Sequence, residues 1–319
     1  MHKIKQILLL VAVVMTVGAV RAQQVPIFTN YTDSYAVINP GFYGLSEGVN
    51  AMGIYRNQWT GFKDDVTGTV VSPVTFLVSA DMPIKVLRGG VGFSLMKDQL
   101  GFENNIGLNL GYSYHMDLGA GVLGLGLAFN FTNRSVDFSK AKPLDDSDPV
   151  IPTKEQSDML IDFNFGAYYL VPETFYISLS TTSLMEAKGK ALEGKSSTSA
   201  SFVGDRTFYL AAGYEYQFLN PKFQLNPSML VLSDIASTQI NVSARLWYNN
   251  KFSFGVNYRY QESVDLLVGF VIKGVQINYA YDINTLGLKL NGSHEVSLSY
   301  CFKLDLEKSP RIYRSIRYL

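Results

Sequence analysis

From residue 48 to residue 304 the chain repeats one pattern: apolar side chains alternate with small or polar ones over eight to fourteen residues, and a turn signal closes each run. In the clearest copy, 104–117, Ile106, Leu108, Leu110, Tyr112, Tyr114 and Met116 fall on one side; Asn105, Gly107, Asn109, Gly111, Ser113, His115 and Asp117 fall on the other. The next run sets Leu123, Leu125, Leu127, Phe129 and Phe131 against Gly124, Gly126, Ala128, Asn130 and Thr132. A period of two is a β-strand with unlike faces. Half-buried sheets in water alternate too, but their strands average about five or six residues, and these are longer and recur to the end of the chain. About nine to eleven tilted residues cross the apolar layer of a membrane, and a closed barrel leaves no unpaired strand edge in hydrocarbon. The pattern predicts an all-β fold: a transmembrane antiparallel β-barrel of about 14 strands in a single domain.

The strands are expected near 48–59, 74–82, 89–98, 104–117, 122–135, 160–170, 174–182, 206–218, 223–233, 238–248, 251–260, 264–272, 275–282 and 294–304. Short turns follow the even-numbered strands, among them Asn249-Asn250 and Lys273-Gly274. Both Asn residues, and the Gly, can take the positive φ of a tight hairpin. The long connections at 60–73, 136–159, 183–205 and 283–293 follow odd-numbered strands. Outer-membrane barrels keep short turns in the periplasm and long loops outside, which predicts that both termini are periplasmic.

Composition sharpens this picture. Charged residues are 17% of the chain, below the roughly 25% of soluble domains. Aromatics are 13%, with 20 Tyr and 20 Phe, as interfacial girdles require. The net charge is zero with Lys and Arg scattered, so no nucleic-acid partner is expected. Residues 1–22 read as a secretory signal peptide: His2, Lys3 and Lys5, an apolar stretch, then Val20-Arg21-Ala22. The organisation expected is therefore signal peptide 1–22, periplasmic lead-in segment 23–47, outer-membrane barrel 48–304 and basic periplasmic tail 305–319.

Candidate chemistry is sparse. His115 lies on the small, polar face between Ser113 and Asp117, a trio that suggests acyl chemistry; yet residues two apart merely stand in a row along one strand, and a hydrogen-bonding role in the lumen accounts for them. His294-Glu295 reads as a structural pair opening the last strand, because adjacent residues point to opposite faces. Arg56 and Gln58 share one face of the first strand, while Trp59 falls on the other, at girdle depth. Asp81, Asp98, Asp162, Arg245, Arg259 and Asp282 fall at inward or strand-end positions. They either line a water path or form a plug of crossed ion pairs. Asp145, Asp146 and Asp148 sit in an acidic loop that lacks the spacing of a calcium-binding loop; it reads as solvated, with a metal site as the alternative. Gly124-Leu125-Gly126 lies mid-strand and is no phosphate loop. Lone Cys301 reads as a structural thiol. No cofactor or catalytic residue is expected.

A set of short motifs runs in order along the mature chain. Ile38-Asn39-Pro40-Gly41 comes first, followed by Tyr43-Gly44 and then Arg56-Asn57-Gln58-Trp59. Ser72-Pro73-Val74-Thr75, Ala80-Asp81-Met82-Pro83 and Asp98-Gln99-Leu100-Gly101 come next. Ile277-Asn278-Tyr279-Ala280-Tyr281-Asp282 and Gly292-Ser293-His294-Glu295-Val296 close the series. Together they resemble the PorP/SprF family of outer-membrane proteins associated with type IX secretion and gliding in Bacteroidetes. One departure is Thr181-Thr182-Ser183-Leu184, which lacks the His often found there. The resemblance implies a non-enzymatic membrane protein that works with the secretion machinery. Its implied partners are outer-membrane lipid, a secreted type B cargo such as an adhesin, and the periplasmic lipoprotein and ring components. It marks Asn39, Pro40, Arg56, Gln58, Trp59, Asp98, Gly101, Tyr281, Asp282, Ser293, His294 and Glu295 as candidate structural motif residues. The alternative function is a diffusion channel or hydrophobic-solute transporter in the outer membrane.

Overall fold

The computed structural model describes residues 26–46, 48–63, 68, 70–140, 154–191, 201–285 and 291–303. The expected signal peptide 1–22, the three loop aspartates and the expected basic tail 305–319 lie outside them. The strands are β1 (Gly48–Asn57), β2 (Val74–Ile84), β3 (Gly89–Leu100), β4 (Glu103–Leu118), β5 (Gly121–Asp137), β6 (Glu155–Val171), β7 (Phe175–Thr182), β8 (Lys188–Ala191), β9 (Ser201–Val203), β10 (Thr207–Tyr214), β11 (Tyr216–Gln217), β12 (Phe223–Ser233), β13 (Thr238–Tyr248), β14 (Phe252–Arg259), β15 (Ser263–Ile272), β16 (Val275–Asn284) and β17 (Ser293–Lys303). β8 and β9 form a separate hairpin in a long loop; β10 and β11 are one wall strand interrupted at Glu215. The wall thus has 14 strands, each antiparallel to its neighbours, closed by β1 against β17 and by β10 against β12.

The alternation predicts the faces correctly, and they are inside out relative to a soluble protein. On β13, Ile240 and Val242 are exposed to the surroundings, whereas Gln239, Asn241, Ser243 and Arg245 are buried in the lumen. An apolar exterior over a polar interior is stable only where the surroundings are hydrocarbon. The tight turns use the expected chemistry with one addition. Asn249, Asn250 and Gly274 all have positive φ, and so does Lys273 at 50°, so both central residues of each turn are left-handed, as a type I′ hairpin requires.

The structure departs from the sequence reading ahead of the barrel. Residues 26–46, expected as a periplasmic lead-in, fold inside the lumen as a short helix α1 (Tyr35–Ile38) flanked by single 3-10 turns at Tyr31–Asp33 and Pro40–Phe42. Tyr31, Tyr35, Ala36 and Tyr43 are buried, and Tyr31 and Tyr35 pack on Tyr168, Tyr209, Leu230 and Leu232 of the wall. Phe28 packs separately on Met52, Ile54 and Leu77. The physical reason is that a barrel interior lined by polar and small groups needs partners for both, and this segment supplies them.

Candidate functional site

Residues 26–46 form a plug in the lumen that is held at two levels. Near the long-loop end, register places Arg56 of β1 directly opposite Glu295 of β17, and Ala280 of β16 opposite the same Glu295. The Arg56 guanidinium donates to Asp282 Oδ2 at 2.6 Å, to Glu295 Oε2 at 3.0 Å and to Thr29 Oγ1 at 2.9 Å. Glu295 is fully buried and accepts the backbone N–H groups of Thr29 and Asn30 at 2.8 and 2.7 Å and the Asn30 amide at 2.8 Å. Thr29 Oγ1 donates to Asp282 Oδ1, and Arg259 Nη2 donates to Thr29 Oγ1. Arg245 donates to Asn30 Oδ1 at 2.8 Å and lies 3.7 Å from Asp33. A buried charge is tolerated only when paired and hydrogen-bonded; here two wall carboxylates and three wall arginines are satisfied partly by other wall residues and partly by the plug.

At the other end the plug rests on glycine. Asn39 is fully buried: its Nδ2 donates to Ala167 O at 3.0 Å and to Ser178 Oγ at 2.7 Å, and its Oδ1 accepts from Gly41 N at 2.8 Å. Pro40 and Gly41 lie against Gly124 and Gly126 of β5, and Asn39 lies against Gly166 of β6, so closely that a Cβ at any of the three glycines would collide with the plug. The small residues of the alternation therefore make a cradle. Gly44 N donates to Asp81 Oδ2 at 2.8 Å. Ser113 Oγ donates to Gly41 O at 3.0 Å, and His115 Nε2 lies 2.9 Å from Tyr43 O. Ser113 and His115 thus each engage a plug carbonyl, while Asp117 is exposed. Burial pushes the phenols of Tyr31, Tyr35 and Tyr43 well above their ordinary range, so they serve as neutral packing and hydrogen-bonding groups.

A loop covers the long-loop mouth on the side where β5 and β6 extend furthest. Buried Asp162 accepts the backbone N–H groups of Met185 and Ala187, Arg134 donates to Val203 O and Glu103, and Phe202 of β9 lies under the Arg134 guanidinium.

The remaining motif residues separate into neighbours of the upper lock and outliers. Trp59 lies in the turn after β1 with φ 50°; its N–H donates to Ser293 Oγ, and its ring meets Phe62 edge-on. Gln58 N–H donates to Pro73 O. His294 faces outward, with Nδ1 2.7 Å from the Tyr279 hydroxyl and its ring 5.0 Å from that of Tyr281. Asp98 accepts from Thr75 Oγ1 at 2.7 Å, and Gly101, with φ 56°, turns β3 into β4; neither reaches the plug lock. Sequence reasoning missed Thr29, Asn30 and Asp33. Their only signal was the surplus of inward charge on the wall, which called for partners from outside it.

The family model for the type IX secretion system membrane protein PorP/SprF matches residues 20–300, a stretch that takes in the plug segment and runs into the last strand. The chain belongs to the PorP/SprF family. It is accordingly a membrane component of type IX secretion, and its barrel is of the outer-membrane kind. No curated protein matches it. Among solved structures it is similar in fold to the Ralstonia pickettii toluene transporter TbuX, at 12% identity and a TM-score of 0.51, covering 85% of this chain and 94% of that one. The P. putida toluene transporter TodX gives 11% identity and a TM-score of 0.50 with the same coverage. These likenesses establish the barrel architecture that the PorP/SprF chain shares with them.

Proposed function

We propose that this protein is a non-enzymatic scaffold or docking factor of the type IX machinery. It would hold a secreted type B cargo, such as an adhesin, at the surface and contact the periplasmic lipoprotein and ring components from its short-turn side. In this reading the long loops face outward and the short turns face the periplasm. The observation that supports it is the lumen, occupied by residues 26–46 and locked by buried ion pairs at Arg56, Asp282 and Glu295. A barrel so filled works through its surfaces. Deleting the gene and fractionating the cells tests the role: the cargo is expected to be lost from the surface, and cargo that still arrives and stays would end the proposal.

The rival reading, a diffusion channel or solute transporter, draws on a fold shared with two toluene transporters. It predicts stepwise conductance or solute uptake by the purified barrel, whereas the scaffold predicts silence in both assays.

A further inference from the structure

The short-turn rim is electrostatically divided. In the order of strands around the barrel, the hairpins β2–β3, β15–β16, β13–β14 and β11–β12 lie on one arc, interrupted only by the β1–β17 seam. Their turns carry Lys85, Arg88, Lys273, Lys251 and Lys222, all exposed. None of these five forms an ion pair among the described residues. The opposite arc carries Asp117 and Glu173, and Glu215 stands at the border between the two arcs, in the wall strand that leads into the β11–β12 hairpin. The sequence is neutral overall, so this division is a matter of placement.

Depth decides what the basic arc meets. Aromatic side chains on a barrel exterior mark the boundary between hydrocarbon and head groups. On this arc exposed Tyr248 and Phe252 bracket Lys251, exposed Phe270 lies three residues before Lys273, and Phe223 follows Lys222. The cations therefore stand just beyond the girdle, at the depth of lipid phosphates. Apolar residues beside them point the same way: Val86 is 93% exposed between Lys85 and Arg88, and Ile272 and Leu219 are exposed near Lys273 and Lys222. A turn that offers a cation and a bare aliphatic side chain together suits a membrane surface, where one meets phosphate and the other acyl chain. A water-exposed protein interface would leave such aliphatic groups without hydrocarbon.

We infer that Lys85, Arg88, Lys222, Lys251 and Lys273 form a basic crescent that binds the phosphate head groups of anionic phospholipids in the leaflet at the short-turn end. The acidic arc repels the same lipids, so the lipid shell around the barrel is lopsided. The inference is independent of the proposed role in secretion.

The test uses full-length protein in nanodiscs of phosphatidylcholine mixed with phosphatidylglycerol, with lipid retention read by native mass spectrometry. Wild type is expected to retain phosphatidylglycerol preferentially. Each surface cation adds appreciably to binding of an anionic surface, so the triple variant Lys222→Glu/Lys251→Glu/Lys273→Glu should lose roughly tenfold or more of that preference. A matched reversal at the other end, Lys63→Glu/Lys188→Glu/Lys190→Glu, should keep it. Heat-modifiable migration on gels establishes that each variant is folded. Undiminished preference in the crescent variant, an equal loss in the matched control, or selective capture of lipid A in place of phosphatidylglycerol would each overturn the assignment. Unchanged lipid retention with loss of a co-purifying envelope protein would make the crescent a protein-docking surface instead.

Discussion

The Glu295 carboxylate and the Thr29 backbone N–H are joined by a 2.8 Å hydrogen bond across 266 positions of sequence. Through that bond the last strand of the barrel holds the first part of its own filling. Glu295→Ala would strip two backbone donors and Arg56 of their acceptor at once. Removing one partner of a buried ion pair costs about 3–5 kcal/mol. The expected outcome is a lower unfolding temperature on heat-modifiability gels and faster proteolysis within residues 26–46. A variant as stable and as resistant as wild type would show that the lock contributes little.

Gly126 tests the cradle without touching a charge. Gly126→Leu places a side chain where Pro40 and Gly41 now lie, so the plug must move or the wall must distort. Planar-bilayer recordings should change from silent to conducting. Gly107→Ala, whose added Cβ would sit at an ordinary 3.6 Å from Thr132 Oγ1, should remain silent and fold normally. Silence from a folded Gly126→Leu barrel would contradict the cradle.

For Ser113 and His115 the expected losses are structural. Ser113→Ala removes one buried hydrogen bond to Gly41 O, worth about 0.5–1.5 kcal/mol. His115→Ala should lower stability by a similar amount and leave any esterase background of the preparation unchanged. A fall in hydrolysis specific to His115→Ala would reopen an enzymatic role.

Asp162 governs the loop over the mouth. Asp162→Ala removes the acceptor for Met185 N and Ala187 N, and limited proteolysis should then cut within 183–206 several-fold faster, while the wall stays intact. Equal cleavage rates would mean that the Arg134 contacts hold the loop without Asp162.

The barrel was readable because period two is imposed by the backbone and survives wherever one face meets lipid. Where lipid stops, the signal fades. β6 begins at Glu155, five residues before the expected 160, because Glu155, Gln156, Ser157 and Asp158 offer no apolar face to count. The break at Glu215 between β10 and β11 was equally silent. Arg56, Asp282 and Glu295 each stood out as motif residues, but their meeting depends on the pairing register of β16, β17 and β1, which no local pattern encodes. The plug was hidden for a different reason. Residues 26–46 have neither helical nor strand periodicity because they pack against wall on every side, and their partners are glycines and polar atoms scattered from β2 to β17.

The β1–β17 seam has a consequence for the order of assembly. Arg56 and Glu295 face each other across that seam, so the same pairing event that closes the wall also completes the binding site for Thr29 and Asn30. A growing chain must leave the Thr29 and Asn30 end of its first folded segment without its Glu295 acceptor until its final strand is made. Truncation before β17 would then leave two defects with one cause: an open edge in the membrane, and a plug seated on its glycine cradle but missing the carboxylate that caps Thr29 and Asn30.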